Sequence, residues 1–326
     1  MMMPAAAEGE DVETRRIGSL EVSVVGLGCN NFGGRLDRQG ARSVVAAALD
    51  AGVNFFDTAD MYGETRSEEL LGEALGARRD EAVVATKFGW RIDDQRHGAK
   101  PAYVRRAVED SLRRLGTDRI DLYQLHLPDP ETPIEQTLAV LDELVRGGKV
   151  REIGCSNFSA AQLREAQAAV RPGAARFVSV QNEYSLLQRE PEREVLPECE
   201  RQGLAFLPFF PLASGVLTGK YRRGAPAPTG TRLSGTPRLA ERFLHDRNRA
   251  AAEALAEFAE RRGHSLLELA FSWLLRHRVV SSVIAGAMSP EQVRANVAAP
   301  AWRLTAEDLA EVDRLAPLAP AAPPAG

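Results

Sequence analysis

Short apolar runs alternate with amphipathic stretches along most of this 326-residue chain. Each apolar run has the length of a buried strand, and the stretch after it carries apolar residues at the spacing of one helix face. The predicted strands are Val25–Cys29, Val53–Asp57, Ala82–Lys87, Ile120–His126, Val150–Cys155, Phe177–Gln181, Ala205–Phe209 and Val280–Ile284. Regular alternation of strands and helices predicts a parallel α/β sheet with right-handed crossovers, and eight such units close most readily into a (β/α)8 TIM barrel.

The predicted helices begin at residues that favour helix termini. Asp37, Ser159 and Thr305 stand where a short polar side chain can accept from the free N–H groups of a first turn. Pro101 and Pro133 open two further helices at positions that need no N–H donor. The predicted helices cover residues 37–52, 67–75, 101–115, 133–145, 159–170, 192–202, 249–262, 266–276, a segment that starts at residue 289, and 306–315.

Several segments depart from the strand–helix repeat. Thr14–Val24 predicts an N-terminal β-hairpin, and two helices instead of one precede the eighth strand, with one more at the C-terminus. Leu212–Asp246 is rich in Pro and Gly and shows little periodicity, which is typical of a functional loop. We therefore expect a disordered leader over residues 1–14, a single (β/α)8 domain over 15–315, and a disordered Pro/Ala-rich tail over 316–326.

Composition narrows the class of protein and the compartment. The net charge of -4 argues against nucleic acid or an anionic membrane as the main partner, and no apolar run is long enough to span a bilayer. The first sixteen residues lack the basic start and apolar core of a signal peptide. Cys29, Cys155 and Cys199 show no paired spacing, which argues against disulfides and a metal site and indicates a reduced, cytoplasmic environment. No pattern identifies an exposed interface, so the oligomeric state stays open.

Polar groups that can carry chemistry stand at the ends of three successive predicted strands. Asp57 ends the second strand, and Tyr62 follows in the next loop; Lys87 ends the third strand and His126 the fourth. The carboxyl ends of barrel strands meet at one face, so these four side chains are expected to converge. A carbonyl that accepts a hydride also needs a proton, and Tyr62 can donate one if a nearby ammonium lowers its pKa. Lys87 is the candidate cation, Asp57 its partner, and His126 a donor to the carbonyl oxygen.

Each of these four residues also has an ordinary structural explanation. An Asp after a strand is often a turn cap, and a Tyr before a Gly is often a packed loop residue. A Lys at a strand end usually extends to solvent, and a His there is usually a satisfied structural residue. The joint placement of the four at consecutive strand ends favours the catalytic interpretation.

The motifs around these residues resemble those of the aldo-keto reductases. The matching segments, in order, are Gly18–Ser23 with Gly26–Gly28, Asp57–Gly63 with Ser67–Gly72, Thr86–Gly89, Asp121–His126, Gly148–Phe158, Gln181–Tyr184 and Pro211–Tyr221. They extend over roughly residues 14–315, and they are most similar to the branch of the potassium-channel β subunits and the bacterial general-stress reductases. The resemblance implies NADPH-dependent reduction of an aldehyde or ketone at the mouth of a (β/α)8 barrel, with Asp57, Tyr62, Lys87 and His126 as the catalytic tetrad.

The resemblance also implies a set of cofactor contacts. Ser156, Asn157 and Gln181 match the positions that hold the nicotinamide carboxamide, and Phe209 matches the aromatic residue that stacks on the nicotinamide ring. Leu212, Lys220 and Arg232 fall where the family contacts the pyrophosphate, although Lys220 and Arg232 also fit an ordinary basic surface loop. Residues at the eighth strand end and after it are the adenosine-side candidates; they are Gly286, Met288, Gln292 and Asn296.

The chain departs from the family pattern at the phosphate contacts. Phe210 replaces a common Ser after the stacking aromatic, and Ala285 stands in a common Pro-Gly pair. Met288 occupies a position that often carries Lys, Arg or Ser for the 2′-phosphate, so NADH is a possible cofactor beside NADPH. Gly26-Leu27-Gly28 begins like a Rossmann fingerprint, but the third glycine and the turn into a helix are absent.

The substrate pocket is expected at the mouth of the barrel, because the loops after the strands surround it. Asn30 and Trp90 are the candidate substrate contacts, together with the loops Pro128–Thr132 and Leu212–Asp246. Two other functions stay open at this level. One is a regulatory subunit that binds NADPH and senses redox state with little turnover, and the other is a barrel enzyme of a different class, which would bind no nicotinamide cofactor.

Overall fold

The computed structural model describes residues 12–319, and their fold is a closed parallel barrel. Its eight strands are β3 (Val25–Gly28), β4 (Phe55–Asp57), β5 (Val83–Phe88), β6 (Ile120–Leu125), β7 (Val150–Ser156), β8 (Phe177–Glu183), β9 (Ala205–Phe209) and β10 (Val283–Gly286). They pair in parallel in the order β10, β3 to β9. Hydrogen bonds from Phe206 N to Val279 O (2.6 Å) and from Ser281 N to Phe206 O (3.2 Å) close the seam. The predicted (β/α)8 barrel is confirmed.

An antiparallel hairpin closes the end of the barrel opposite the strand carboxyl ends. It consists of β1 (Thr14–Ile17) and β2 (Leu20–Ser23), as the sequence predicts. Its buried Ile17, Leu20 and Val22 pack with inward-facing residues of the strands, such as Phe55 and Leu207. Within residues 12–319 the hairpin therefore covers this end of the barrel, and the strand carboxyl ends lie at the other.

The helices of residues 12–319 surround the barrel, and all except the one that begins at Pro237 were predicted. They are α1 (Arg38–Asp50), α2 (Arg66–Leu75), α3 (Pro101–Leu115), α4 (Ile134–Arg146), α5 (Ala160–Ala168), α6 (Val195–Gln202), α7 (Pro237–Phe243), α8 (Asp246–Arg261), α9 (Leu266–Leu275), α10 (Pro290–Ala298) and α11 (Ala306–Leu315). The predicted caps form: Asp37 accepts from Gly40 N, and Ser159 and Thr305 each make a reciprocal capping box. None of the helices within residues 12–319 combines the length and the apolar character needed to cross a bilayer.

Several predicted boundaries were wrong. The eighth barrel strand begins at Val283 instead of Val280, because Val279–Ser281 closes the seam against Phe206 before the strand pairs with β3. The Pro/Gly-rich region contains a short 3-10 helix, Ala213–Thr218, and helix α7, which begins on Pro237. Short helices of this kind depend on tertiary contacts more than on periodicity.

The predicted leader and tail lie mostly outside the described residues, which exclude 1–11 and 320–326. At the two described boundaries, residues that the prediction assigns to the leader and the tail belong to the folded chain. Thr14 is already the first residue of β1, and Ala316 is buried. The carbonyl of Ala316 accepts a hydrogen bond of 2.8 Å from Arg189, which fastens the end of α11 to the barrel.

Candidate active site

The carboxyl ends of the barrel strands open into one cavity of about 1200 Å³. Of the side chains that the sequence analysis assigned individually to the site, all line this cavity except Lys87, which lies fully buried beneath it. The lining residues that the sequence indicated are Asn30, Asp57, Tyr62, Trp90, His126, Ser156, Asn157, Gln181, Phe209, Leu212, Lys220, Arg232, Gly286, Met288, Gln292 and Asn296. Residues that are up to 266 positions apart in the sequence thus share one wall, because parallel strands place their ends at one face.

A row of three polar groups joins the barrel interior to the cavity. Lys87 Nζ lies 2.7 Å from Asp57 Oδ2 and 3.5 Å from the hydroxyl of Tyr62. The ammonium also donates to the Thr58 carbonyl at 2.8 Å. Both members of the ion pair are buried, so the pair is held in place by its hydrogen bonds and not by solvent.

Two glutamines that hold the carboxylate complete this arrangement. Gln181 Nε2 donates to Asp57 Oδ1 at 2.8 Å, and Gln124 Nε2 donates to the same oxygen at 3.3 Å. The sequence indicated Gln181 as a cofactor contact only, and it did not indicate Gln124. Gln124 lies on β6 and Gln181 on β8, and both side chains point into the barrel. A strand that is buried on both faces shows no alternation of residue types, so the sequence does not reveal which side chains point inward.

Protonation of Tyr62 differs from the sequence-based expectation. Burial raises the pKa of the phenol, and the attraction of Lys87 opposes this without overcoming it. Burial alone would lower the pKa of Lys87, but Asp57 and Tyr62 together raise it above its ordinary value. At neutral pH Lys87 is therefore charged and Tyr62 is protonated. The lysine acts in the expected direction, whereas the predicted net fall in the tyrosine pKa was wrong.

His126 lies beside Tyr62 at the cavity wall. The two rings meet edge to face with centroids 5.9 Å apart, and the Trp90 ring lies 5.2 Å from the imidazole on the side of the cavity mouth. Burial and then the charge of Lys87 lower the pKa of His126 to about 3. The imidazole is thus neutral over the whole physiological range, and it can donate a hydrogen bond but carries no charge.

Ser156, Asn157 and Gln181 form a group of neutral polar side chains on the next two strands. Ser156 Oγ donates to the Gln181 carbonyl at 2.7 Å, and Asn157 Nδ2 donates to the His126 carbonyl at 3.0 Å. Asn157 has a φ of 62°, a left-handed conformation that Asn tolerates better than most residues. The side-chain oxygens of Asn157 and Gln181 accept no hydrogen bond from residues 12–319, so both remain as acceptors for a primary amide.

Besides Arg242, which pairs with Glu183, three basic side chains line the cavity near the Pro/Gly-rich region. Lys220 and Arg232 were predicted; Arg35, on the loop after β3, was not. Burial first, and then repulsion by Arg35, lowers the pKa of both Lys220 and Arg232. No carboxylate within residues 12–319 forms an ion pair with any of the three. Arg35 also donates to the Gly230 carbonyl at 3.2 Å, a contact across the cavity that no local sequence signal indicates.

The cavity wall next to these cations contains an unsatisfied polar group and aromatic rings. Ser214 Oγ is buried without a hydrogen-bond partner among the described residues, in a segment where Ala213 and Ser214 have left-handed φ values of 46° and 56°. Phe209 and Phe210 pack edge to face at 5.4 Å, and the Arg232 guanidinium lies 5.3 Å over the Phe210 ring. A buried hydroxyl and unpaired cations together suit an anionic ligand.

The end of the cavity near α10 is electrically neutral. Met288, Gln292, Ala295, Asn296 and Leu267 line it, and none of these residues is basic. Gln292 Oε1 accepts from Met288 N at 2.8 Å, so this side chain already has an internal partner. Asn30 and Asn31 meet the backbone of Gly286 here, where an added Cβ would lie 3.3 Å from Asn31 Nδ2.

One predicted contribution to the site was wrong. The loop Pro128–Thr132 does not line the cavity. Asp129 folds this loop back on itself, with a bond of 2.7 Å from Thr132 Oγ1 and another of 2.7 Å from Ala99 N. In contrast, the second predicted loop contributes several lining residues, and its helix α7 is joined to the end of β8 by an ion pair between Arg242 and Glu183.

Comparisons with known proteins agree with this geometry. The profile of the Aldo/keto reductase family matches residues 24–317. A probable voltage-gated potassium channel subunit beta of Oryza sativa subsp. japonica is 38% identical over 82% of this chain and 84% of its own. The aldo-keto reductase YhdN of Bacillus subtilis is 34% identical over 91% and 90%.

Solved structures resemble the whole barrel. A glycerol dehydrogenase of Gluconobacter oxydans superposes with a TM-score of 0.80 at 32% identity, over 94% of this chain and 98% of its own. An aldo-keto reductase of Bacillus halodurans, solved in a holo form, gives a TM-score of 0.78 at 34% identity, over 94% and 96%. With its barrel, its strand-end polar groups and these similarities over nearly its full length, the chain belongs to the aldo-keto reductase family.

Proposed function

We propose that this protein reduces an aldehyde or ketone to an alcohol, with NADPH or NADH as the hydride source. The observation that carries the proposal is the row formed by Asp57, Lys87 and Tyr62, which ends on a protonated phenol at the wall of a large cavity. A protonated phenol beside an ammonium is the state that proton donation requires, so the resting site suits reduction of a carbonyl.

The side chains of this row have distinct roles in the proposed reaction. Tyr62 gives its proton to the carbonyl oxygen as negative charge develops there, and the ammonium of Lys87 stabilises the phenolate that remains. Asp57 and the Thr58 carbonyl hold Lys87 in place, and Gln124 and Gln181 hold Asp57. His126, which is neutral, donates a hydrogen bond to the carbonyl oxygen and orients it beside Tyr62.

The residues present fit a nicotinamide dinucleotide at three places. The free oxygens of Asn157 and Gln181 suit a carboxamide, and the cations Arg35, Lys220 and Arg232 with the unpartnered Ser214 hydroxyl suit a diphosphate. Phe209 offers an aromatic face between these two groups. When bound, such a cofactor supplies the hydride.

NADPH and NADH are both proposed as cofactors. Arg35, Lys220 and Arg232, which have no ion-pair partner among residues 12–319, serve the diphosphate, which the two cofactors share. The neutral lining around Met288 offers no cation to the 2′-phosphate, the only group that distinguishes them. Binding that depends on the shared part should therefore discriminate weakly between the two.

The test is steady-state oxidation of NADPH and NADH over a panel of aldehydes and ketones, with Tyr62→Phe as the diagnostic variant. Loss of the proton donor should lower turnover at least ~100-fold, while the cofactor dissociation constant stays unchanged. Tyr184→Phe is the matched control, because its phenol is also buried but bonds to Glu192 and His277 away from the cavity. Full turnover in Tyr62→Phe would reject the assigned proton donor.

A second candidate function is a redox-sensing subunit that holds the cofactor with little turnover. Two relatives of this chain are named as probable voltage-gated potassium channel β subunits, and this similarity supports the second candidate. It predicts tight binding of NADPH without oxidation by any carbonyl in the panel. If neither cofactor bound, a barrel enzyme of another class would become the better interpretation.

A further inference from the structure

The turn that carries Tyr62 has a strained backbone. Gly63, Glu64 and Thr65 follow the tyrosine with φ values of 56°, 57° and 75°. Left-handed conformations are unfavourable for Glu and Thr, so three in succession persist only where surrounding contacts impose them. Gly63 has no alternative here, because a Cβ would lie 2.2 Å from the Phe32 carbonyl oxygen. The contacts that hold this turn therefore decide where the Tyr62 phenol lies.

The first of these contacts is Asp60, two residues before the tyrosine. Its backbone N–H donates to the carbonyl of Lys87 at 3.1 Å, and its buried carboxyl accepts from the hydroxyl of Tyr103 on α3 at 3.2 Å. The chain is thus fastened to both β5 and α3 immediately before the strained turn begins.

The second contact is Glu68, which follows the turn in the first part of α2. Its side chain is fully buried; Oε1 accepts from Thr86 Oγ1 at 2.6 Å and Oε2 from Arg114 Nε at 2.6 Å. Thr86 directly precedes Lys87 on β5, and Arg114 belongs to α3. The chain is therefore fastened to the same two elements after the turn as before it.

The two carboxyl groups share one buried cluster with a single strong cation. Glu68 faces Asp60 from α2, Tyr103 and Arg114 face it from α3, and Tyr123 faces it from β6. Burial, and then the carboxylate of Glu68, raises the pKa of Asp60 to about 7. Asp60 Oδ1 and the Tyr123 hydroxyl are buried without a partner among residues 12–319. The cluster thus holds two carboxyl groups, but its cation, Arg114, compensates the charge of only one of them.

We propose that Asp60 and Glu68 are positioning residues for Tyr62: together they fasten the strained turn at both ends and so hold the phenol against Lys87. Neither side chain lines the cavity, so each acts through the turn and not on the substrate. The effect of this clamp on catalysis rests on the proposed reductase function. The clamp itself concerns only the position of the turn and does not depend on that function.

The first experiment separates the clamp from catalysis by hydrogen–deuterium exchange of residues 61–66. Asp60→Ala and Glu68→Ala should each raise exchange in this turn at least ~10-fold while exchange in the barrel strands is unchanged. Glu69→Gln is the matched control, because Glu69 is the exposed neighbour of Glu68 on the same helix. Unchanged exchange in the turn, or an equal rise across the whole barrel, would overturn the proposal, and this result does not depend on turnover.

The second experiment measures kcat and KM across pH for Asp60→Ala and Asp60→Asn. Displacing Tyr62 should lower kcat of Asp60→Ala by ~10- to 100-fold with KM nearly constant, since a small misplacement of a catalytic group has effects of this size. Ionisation of Asp60 near pH 7 would place a second negative charge in a cluster that has one cation, so kcat of the wild type should fall as pH rises through 7. Asp60→Asn keeps an acceptor for Tyr103 but cannot ionise, so its kcat should return to the wild-type value at low pH and should not fall over this range. Equal kcat in Asp60→Ala and the wild type would contradict the clamp. If the wild type has no turnover but exchange responds as expected, the reductase function fails and the clamp stands.

Discussion

The substitution Lys87→Met tests whether the buried ion pair supports catalysis and stability in different ways. Lys87 and Asp57 have side-chain exposures of 0% and 5% and lie 2.7 Å apart, so solvent can compensate neither charge. Removing one partner of a buried pair typically costs about 3–5 kcal/mol in the free energy of unfolding, because the other charge stays buried. Met fills a similar volume, which keeps the cavity term small.

The charge left behind is what makes this variant unstable, and a second substitution can show it. In Lys87→Met/Asp57→Asn the isolated carboxylate becomes a neutral amide that can still accept from Gln124 and Gln181. Most of the lost stability should return, and the double-mutant cycle should give a coupling energy of about 2–3 kcal/mol.

Turnover should behave differently from stability in the same series. Tyr62 loses the ammonium that stabilises its phenolate, so turnover should fall ~10²- to 10⁴-fold in the single variant and stay low in the double variant. Urea denaturation at pH 7 gives the stabilities, and NADPH oxidation with a reactive aldehyde gives the rates. Additive losses of stability, or a double variant that regains activity, would refute the reasoning.

Three further predictions concern the cofactor and the buried carboxyl. Met288→Arg should tighten NADPH binding ~10-fold or more and leave NADH unchanged, measured as dissociation constants; equal effects on both would contradict the neutral adenosine end. Arg35→Gln should weaken both cofactors to a similar extent in the same titration, because the diphosphate is common to them; a selective effect would exclude Arg35 from that site. Burial and Glu68 raise the pKa of Asp60 from 3.8 to about 7, so the folded state binds this proton more tightly than the unfolded state and loses stability as pH rises from 3.8 to about 7. Relative to Asp60→Asn, the unfolding free energy of the wild type should fall by about 1.4 kcal/mol per pH unit between pH 5 and 7. If the unfolding free energies of the two proteins changed in parallel with pH, the pKa of Asp60 would not be raised.

The strand–helix repeat made the architecture predictable. Buried strands and amphipathic helices have different apolar spacings, and caps such as Asp37 and Ser159 act on neighbouring backbone groups. Elements whose formation depends on distant partners were harder to predict from the sequence. Helix α7 and the late start of β10 are examples, because the barrel seam at Phe206 decides where β10 pairs.

Sequence motifs also indicated many residues of the cavity wall, because the ends of parallel strands meet whatever the loops between them do. Gln124, Asp60 and Glu68 lie within these motifs, but the sequence indicated no role for them, and it did not indicate Arg35. These residues matter through partners that are far away in the chain: Asp57 for Gln124, Gly230 for Arg35, and Tyr103, Thr86 and Arg114 for the clamp.

The sequence by itself determined the barrel and the types of group at its mouth, since both follow from local spacing and from the direction of the strands. Only the tertiary structure decided the electrostatics of those groups. Burial outweighs Lys87 at Tyr62, keeps His126 neutral and, together with Glu68, keeps Asp60 partly protonated at neutral pH. A pKa depends on how much solvent and which charges surround a group, and these are properties of the folded chain and not of its sequence pattern.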